Sequence, residues 1–237
     1  MKSTSSRASK YTEGVDGSSY GAIAREYYDE SRHPTCADFR SAARIFLQKL
    51  FKREQPYGRV ADVGCGKSLI SEFGLRDLVL IDEAEEMLAL NSGEFEKRLV
   101  NVEKEAIGHS EFDWIFAILG DPYNSLNSWL NIANALRAGG RCFFIVPSLA
   151  WARKFREQNS RELSGFARFD VNGGKAIFLR SLIFERSEQQ AIIERAGLTV
   201  AGYDTISVRE LAVVKSPKIF NILSDGEALL EIYQARK

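Results

Sequence analysis

The chain has 237 residues, 45% of them hydrophobic, and its 32 basic side chains balance 32 acidic ones. That length suits one α/β domain with a substantial core, and the balance leaves no net field to attract nucleic acid or an anionic membrane. Three cysteines without a Cys-x-x-Cys pair, two histidines and no apolar run of membrane-spanning or signal-peptide character exclude a disulfide framework and a multi-histidine metal centre. The expectation is a cytoplasmic protein with reduced thiols, no membrane segment and no metal.

Residues 1–19, rich in Ser, Thr, Gly and charge, read as a mobile tail. Ala22–Tyr28 suggests a short helix with an aromatic pair, interrupted at His33-Pro34 because the residue before proline avoids the helical region. From Thr35 an amphipathic helix follows, with Phe39, Ala42, Ala43, Phe46, Leu47 and Leu50 on one stripe. Strand and helix then alternate. Strand one covers 58–63 and a helix starts near Lys67; strand two covers Leu78–Ile81 and a helix covers Ala84–Leu90. A short third strand at 98–100 and an apolar fourth at Phe112–Leu119 precede a helix over Leu126–Arg137, stopped by Ala138-Gly139-Gly140. Strand five covers Arg141–Val146. Strands this apolar, separated by helices, form a parallel sheet covered on both faces.

After Pro147 the pattern changes. A helix over Leu149–Gln158 leads into strands at Phe166–Phe169 and Ala176–Ile183 around Asn172-Gly173-Gly174, a hairpin-type turn. Ser187 caps a helix reaching Ala196, and strands follow at Leu198–Val200 and Leu229–Gln234. With no internal repeat or linker, 20–237 reads as a single domain.

The stretch with chemical content is Ala61-Asp62-Val63-Gly64-Cys65-Gly66. A strand that breaks into glycines before a helix puts backbone N–H groups and a positive dipole end beside a ligand. It is not a dinucleotide fingerprint, because 64–69 read Gly-Cys-Gly-Lys-Ser-Leu without the last glycine. A P-loop is excluded too, since Ala61 stands where that motif needs its first glycine.

Four motifs in order resemble the class I S-adenosylmethionine-dependent methyltransferases, over roughly Val60 to Lys237. Ala61–Gly66 is similar to the first, an acid followed by Gly-x-Gly, although Lys67-Ser68 replaces the frequent third glycine. Leu80–Leu88 is similar to the second, Phe112–Phe116 to the start of strand four, and Ala135–Arg141 to the approach to strand five. The resemblance implies a three-layer α/β sandwich on a mostly parallel seven-stranded sheet with the last strand antiparallel. It implies a helical lid at 20–57 and a substrate-side insertion at 149–186. The implied cofactor is S-adenosyl-L-methionine, with Asp62, Gly64 and Gly66 at its methionine end, Asp82 at its ribose, and Cys65 and Glu83 among its contacts. Met87, Asn101 and Val102 fall at its adenine, and Leu119 and Gly120 close the site after strand four.

For the acceptor, Asp121-Pro122-Tyr123 partly matches the (Asp/Asn)-Pro-Pro-(Tyr/Phe) motif of enzymes that methylate nucleic-acid amino groups. Candidate catalytic groups are therefore Asp121 and Tyr123, with Tyr28 and His33 from the lid. Arg153, Lys154, Arg156, Arg161, Arg168, Lys175 and Arg180 make the insertion basic, but Glu157, Glu162 and Asp170 interleave with them. The expected function is methyl transfer to a small molecule. A nucleic-acid base or protein amine is the alternative acceptor, and a cofactor-binding inactive partner subunit is the non-enzymatic one.

Overall fold

The computed structural model describes residues 18–159, 165–171 and 175–237. Residues 1–17, Arg161 and the turn at 172–174 lie outside the described residues. The elements are α1 (Ser18–Tyr27), α2 (Pro34–Arg53), β1 (Val60–Val63), β2 (Leu78–Asp82), α3 (Glu85–Leu88), β3 (Glu96–Leu99), β4 (Phe112–Ile118), α4 (Leu126–Ala135) and β5 (Leu136–Pro147). They continue with α5 (Leu149–Asn159), β6 (Phe166–Val171), β7 (Lys175–Arg180), α6 (Arg186–Arg195), β8 (Thr199–Ser207), α7 (Pro217–Phe220) and β9 (Ala228–Arg236). Among the described residues no helix is long and apolar enough to cross a membrane.

Seven strands form one sheet in the order β3-β2-β1-β4-β5-β9-β8. All neighbours are parallel except β9, which runs antiparallel to both β5 and β8. This is the doubly wound architecture that the strand–helix alternation predicts. Strand β4 shows how it is held. Trp114 and Phe116 point to the face covered by α2 and α5, Ile115 and Ala117 to the face covered by α4 and α6. On the first face Phe143 stacks on Trp114 at 5.4 Å and 9° and on Phe116 at 5.4 Å and 15°. Each such ring, fully buried, contributes about 1.5–3 kcal/mol from removal of apolar surface from water. Chain direction across the sheet reverses between β1 and β4, and the crevice beyond their C-terminal ends is where ligands bind in open α/β sheets.

Several local expectations are corrected. No α-helix follows the glycine loop. The stretch after Lys67 makes only a 3-10 turn over Ile70–Phe73, because the Ser68 hydroxyl accepts the Ser71 N–H at 3.1 Å and Gly74, at φ +68°, ends the turn at once. The helix after β2 is a single turn. Helix α4 stops at Ala135 rather than at the glycines: Leu136 is already extended, and Gly139 and Gly140 lie inside β5, exchanging backbone hydrogen bonds with Lys237 at 3.0 Å each. Helix α6 starts at Arg186, after Glu185, with no side-chain cap from Ser187. Of the stretch 20–57, α1 stands over the crevice, whereas α2 buries Phe39, Phe46, Leu47, Leu50 and Phe51 in the core.

Candidate functional site

The C-terminal ends of β1, β2 and β4 open into a cavity of about 310 Å³, roofed by residues of α1 and β7. Its floor is the loop Gly64-Cys65-Gly66. Gly64 and Gly66 sit at φ +62° and +48°, the left-handed region that only glycine occupies without strain. A Cβ on Gly64 would lie 2.2 Å from the Tyr123 ring, and one on Gly66 2.2 Å from the Tyr28 hydroxyl. Gly66→Ala is therefore expected to lower stability by about 1–2 kcal/mol and to detach Tyr28 from the loop, seen as a lower midpoint of thermal unfolding.

Two buried carboxylates flank this floor. Asp82 Oδ2 accepts the Gly66 N–H at 2.8 Å and Oδ1 accepts the Ala84 N–H at 2.9 Å, so the end of β2 holds the loop after β1. Burial raises its pKa and the two amides oppose that rise. Asp62 Oδ2 accepts the Ser68 hydroxyl at 2.6 Å, while its Oδ1, equally buried, has no partner. Burial pushes its carboxyl up to about 7, with the Ser68 bond and the Arg40 charge pulling the other way. Asn91 completes the support: its Nδ2 donates to Gly66 O at 2.6 Å and its Oδ1 accepts Ser68 N–H at 2.8 Å.

Past the end of β2, exposed Glu83 accepts a hydrogen bond from Asn101 Nδ2 at the cavity's edge. Asn101 Oδ1 in turn accepts the Glu103 N–H at 3.0 Å, which shapes the loop that carries Val102. Across the top, the Tyr28 hydroxyl accepts the Lys67 N–H at 2.6 Å, and the Arg40 guanidinium lies 4.7 Å from the Tyr28 ring while donating to Lys67 O at 2.9 Å. Arg180 of β7 reaches over to pair with Glu103. At the exit of β4, Leu119 takes a positive φ of 55°, a strained conformation for a non-glycine residue. The Tyr123 hydroxyl then donates back to Val63 O.

No family model matches the chain, and no curated protein matches it in sequence. Solved structures do match its fold. A DhpI–SAH complex superposes with a TM-score of 0.63 at 16% identity, covering 93% of this chain and 94% of the other. A chain of the complex between the Haloferax volcanii Trm112 methyltransferase activator and a methyltransferase gives 0.62 at 14% identity, over 92% and 96%. An S-adenosylmethionine-dependent methyltransferase from Clostridium acetobutylicum gives 0.58 at 11% identity, over 92% and 98%.

The fold is that of the class I S-adenosylmethionine-dependent methyltransferases.

Within this methyltransferase fold, Asp62, Gly64, Cys65, Gly66, Asp82, Glu83, Met87, Asn101, Val102 and Leu119 all line the cavity, together with Tyr28 and Tyr123. Three candidates stand elsewhere. His33 stacks on Phe169 at 4.0 Å and 26°, outside the cavity lining, with its Nε2 buried and unpartnered and its pKa lowered by burial. The Asp121 carboxyl, pushed up to about 6 by burial, is bonded to the Ser181 side chain and does not line the cavity. Gly120 packs against Phe144. Sequence reading missed Arg40, Asn91 and Tyr20, and placed Arg180 in the basic insertion without bringing it to the cavity. Arg40 and Asn91 carry no local motif, and Tyr20 and Arg180 reach the cavity only through long-range packing of α1 and β7.

Proposed function

We propose that this chain is a methyltransferase that binds S-adenosyl-L-methionine and methylates a small molecule. The observation that carries the reading is the buried, unpartnered Oδ1 of Asp62 beside two left-handed glycines, an acceptor without a donor at bare backbone. Such a floor fits the cofactor's ammonium. Arg40, in the same wall, would take its carboxylate, Asp82 and Glu83 its ribose hydroxyls, and Met87, Asn101 and Val102 its adenine. The cofactor supplies a methyl group on a sulfonium, already activated for in-line displacement, so the protein's task is to align the acceptor and exclude water.

The chain's own groups suit alignment better than proton abstraction. Burial pushes the Tyr28 phenol up to about 12, and its hydroxyl is engaged at the Lys67 amide. His33 faces Phe169 instead of the cavity. We therefore assign Tyr28 to docking the roof on the loop and give His33 no step. The Asp-Pro-Tyr motif lends less support to a nucleic-acid acceptor, since Asp121 turns toward Ser181. The basic insertion is also engaged: Arg153 pairs with Glu185, Lys154 with Glu227 at 2.6 Å, and Arg156 donates to Ser181 O at 2.6 Å. We place the activity in a single domain over 20–237 and in the cytoplasm.

Two measurements test this. Calorimetry should show S-adenosylmethionine binding, and radiolabelled cofactor with fractionated extract should label the small-molecule pool. Label in RNA, DNA or protein would overturn the small-molecule acceptor, and no binding would overturn the whole reading. A pH series adds a third. With a free-protein pKa of about 7, Asp62 must ionise to meet a cation, so cofactor affinity should fall as pH drops below that value, approaching tenfold per unit. Asp62→Asn should flatten this profile. The same shift makes the folded protein bind more protons than the unfolded chain between the ordinary Asp range and about 7, so stability declines as pH rises through that window.

A further inference from the structure

The cofactor's polar groups are matched along the strand ends, and the opposite wall of the cavity has a different character. It consists of Tyr20 and Tyr27 of α1, Pro122 and Tyr123 after β4, and Leu179 and Arg180 of β7. Tyr20 and Tyr27 meet edge-on at 6.0 Å and 63°. Tyr27 is backed by Phe169 of β6 at 5.6 Å and 10°, and Phe169 by His33 at 4.0 Å and 26°, a layered stack that holds the Tyr27 ring. Ile23, Phe169 and Leu179 form a small core of their own here, apart from the two cores that flank the sheet. Such a wall is preorganised, so a ring placed on it would cost little side-chain ordering.

The charges narrow the choice. The cation on this wall, Arg180, is paired with Glu103, and Arg40, which donates to Lys67 O and lies over the Tyr28 ring, is assigned above to the cofactor's carboxylate. An anionic acceptor on this wall would have to break the Arg180–Glu103 pair, since the remaining lining cation, Lys104, sits beside Asn101 and Val102 at the adenine positions. Burial holds the Tyr20, Tyr27 and Tyr123 phenols well above their ordinary pKa, so they are neutral hydroxyls. The cavity, about 310 Å³, is of the size that takes small-molecule ligands.

We infer that the acceptor is a small aromatic molecule, neutral or cationic, stacked on the Tyr20–Tyr27 wall and carrying its nucleophilic oxygen or nitrogen on or beside the ring. The inference rests on the methyltransferase reading and names its substrate class. In the step, the acceptor's lone pair forms a bond to the methyl carbon as the carbon–sulfur bond breaks. That bond's electron pair stays on sulfur, and the acceptor's proton is released to water. Phe169 is a positioning residue that acts through Tyr27.

The test uses the full chain saturated with S-adenosylhomocysteine and titrated by calorimetry with catechol, aniline and indole, and with malonate and inorganic phosphate as anionic probes. Binding of at least one aromatic probe, and of neither anion, is expected. Tyr27→Leu should lower the ratio of aromatic-probe affinity to cofactor affinity about tenfold, Phe169→Leu somewhat less, while Tyr27→Phe and Phe169→Tyr restore it to within about twofold. The ratio separates loss of the wall from general damage. Preference for malonate or phosphate, no aromatic binding to the loaded protein, or a ratio unmoved by Tyr27→Leu would overturn the inference. Failure of S-adenosylhomocysteine itself to bind would instead overturn the methyltransferase reading.

Discussion

Asp82→Ala is expected to weaken S-adenosylmethionine binding by about two orders of magnitude in calorimetry. The carboxylate holds two backbone amides, Gly66 N–H at 2.8 Å and Ala84 N–H at 2.9 Å, and also faces the cavity. Charge-assisted bonds of this kind are worth about 1.5–3 kcal/mol each. Removing the acceptor leaves the Gly66 amide buried without a partner and frees the loop to leave its binding geometry. A loss of about 3 kcal/mol in binding corresponds to roughly 150-fold in affinity. Asp82→Asn keeps an oxygen for one amide but presents an N–H to the other, so it should fall between the two. Unchanged affinity in Asp82→Ala would remove Asp82 from the cofactor site.

Asn124→Ala is expected to lower the thermal midpoint by roughly 10 °C. Asn124 is fully buried, and all of its capacity is used. Its Nδ2 donates to Leu182 O at 3.0 Å and Gln189 Oε1 at 2.6 Å, and its Oδ1 accepts Trp129 Nε1–H at 2.9 Å and Gln189 Nε2–H at 3.1 Å. Alanine strands the indole N–H, a carbonyl and the Gln189 amide away from water, at a cost of about 3 kcal/mol or more. For a chain of this size each kcal/mol moves the midpoint by about 2–4 °C. The network ties the exit of β4 to α6 and to the segment after β7, so the variant should also loosen Tyr123. A shift under about 2 °C, read by differential scanning calorimetry, would mean that the pocket relaxes or admits water.

The main architecture was legible because its signals are local and periodic. The apolar runs at Leu78–Ile81 and Phe112–Ile118, and the stripe from Phe39 to Leu50, are decided by burial on one face or two, and burial patterns are written residue by residue. The cavity floor was legible for the same reason: Asp62, Gly64, Gly66 and Asp82 sit at or just after strand ends, where backbone geometry constrains residue type. The roof was not. Tyr20, Tyr27, Phe169 and Leu179 come together through contacts spanning about 140 residues, and no spacing rule links α1 to the hairpin β6–β7. The helix expected after Lys67 failed for a further reason. Ser68 serves the Asp62 carboxylate and the Ser71 amide at once, and these side-chain bonds outcompete helical propagation.

Strand β9 lies between β5 and β8 and pairs with both along nearly its whole length. A ribosome delivers β8 before β9, so β8 has no neighbour in the sheet while the intervening segment and β9 are still being made. During that interval the nascent protein has two unpaired edges, that of β5 and that of β8. Completion of the sheet therefore waits on β9. Shortening the chain by a few residues at β9 would cost an interior strand rather than a frayed end, and would leave a product prone to pair with other chains.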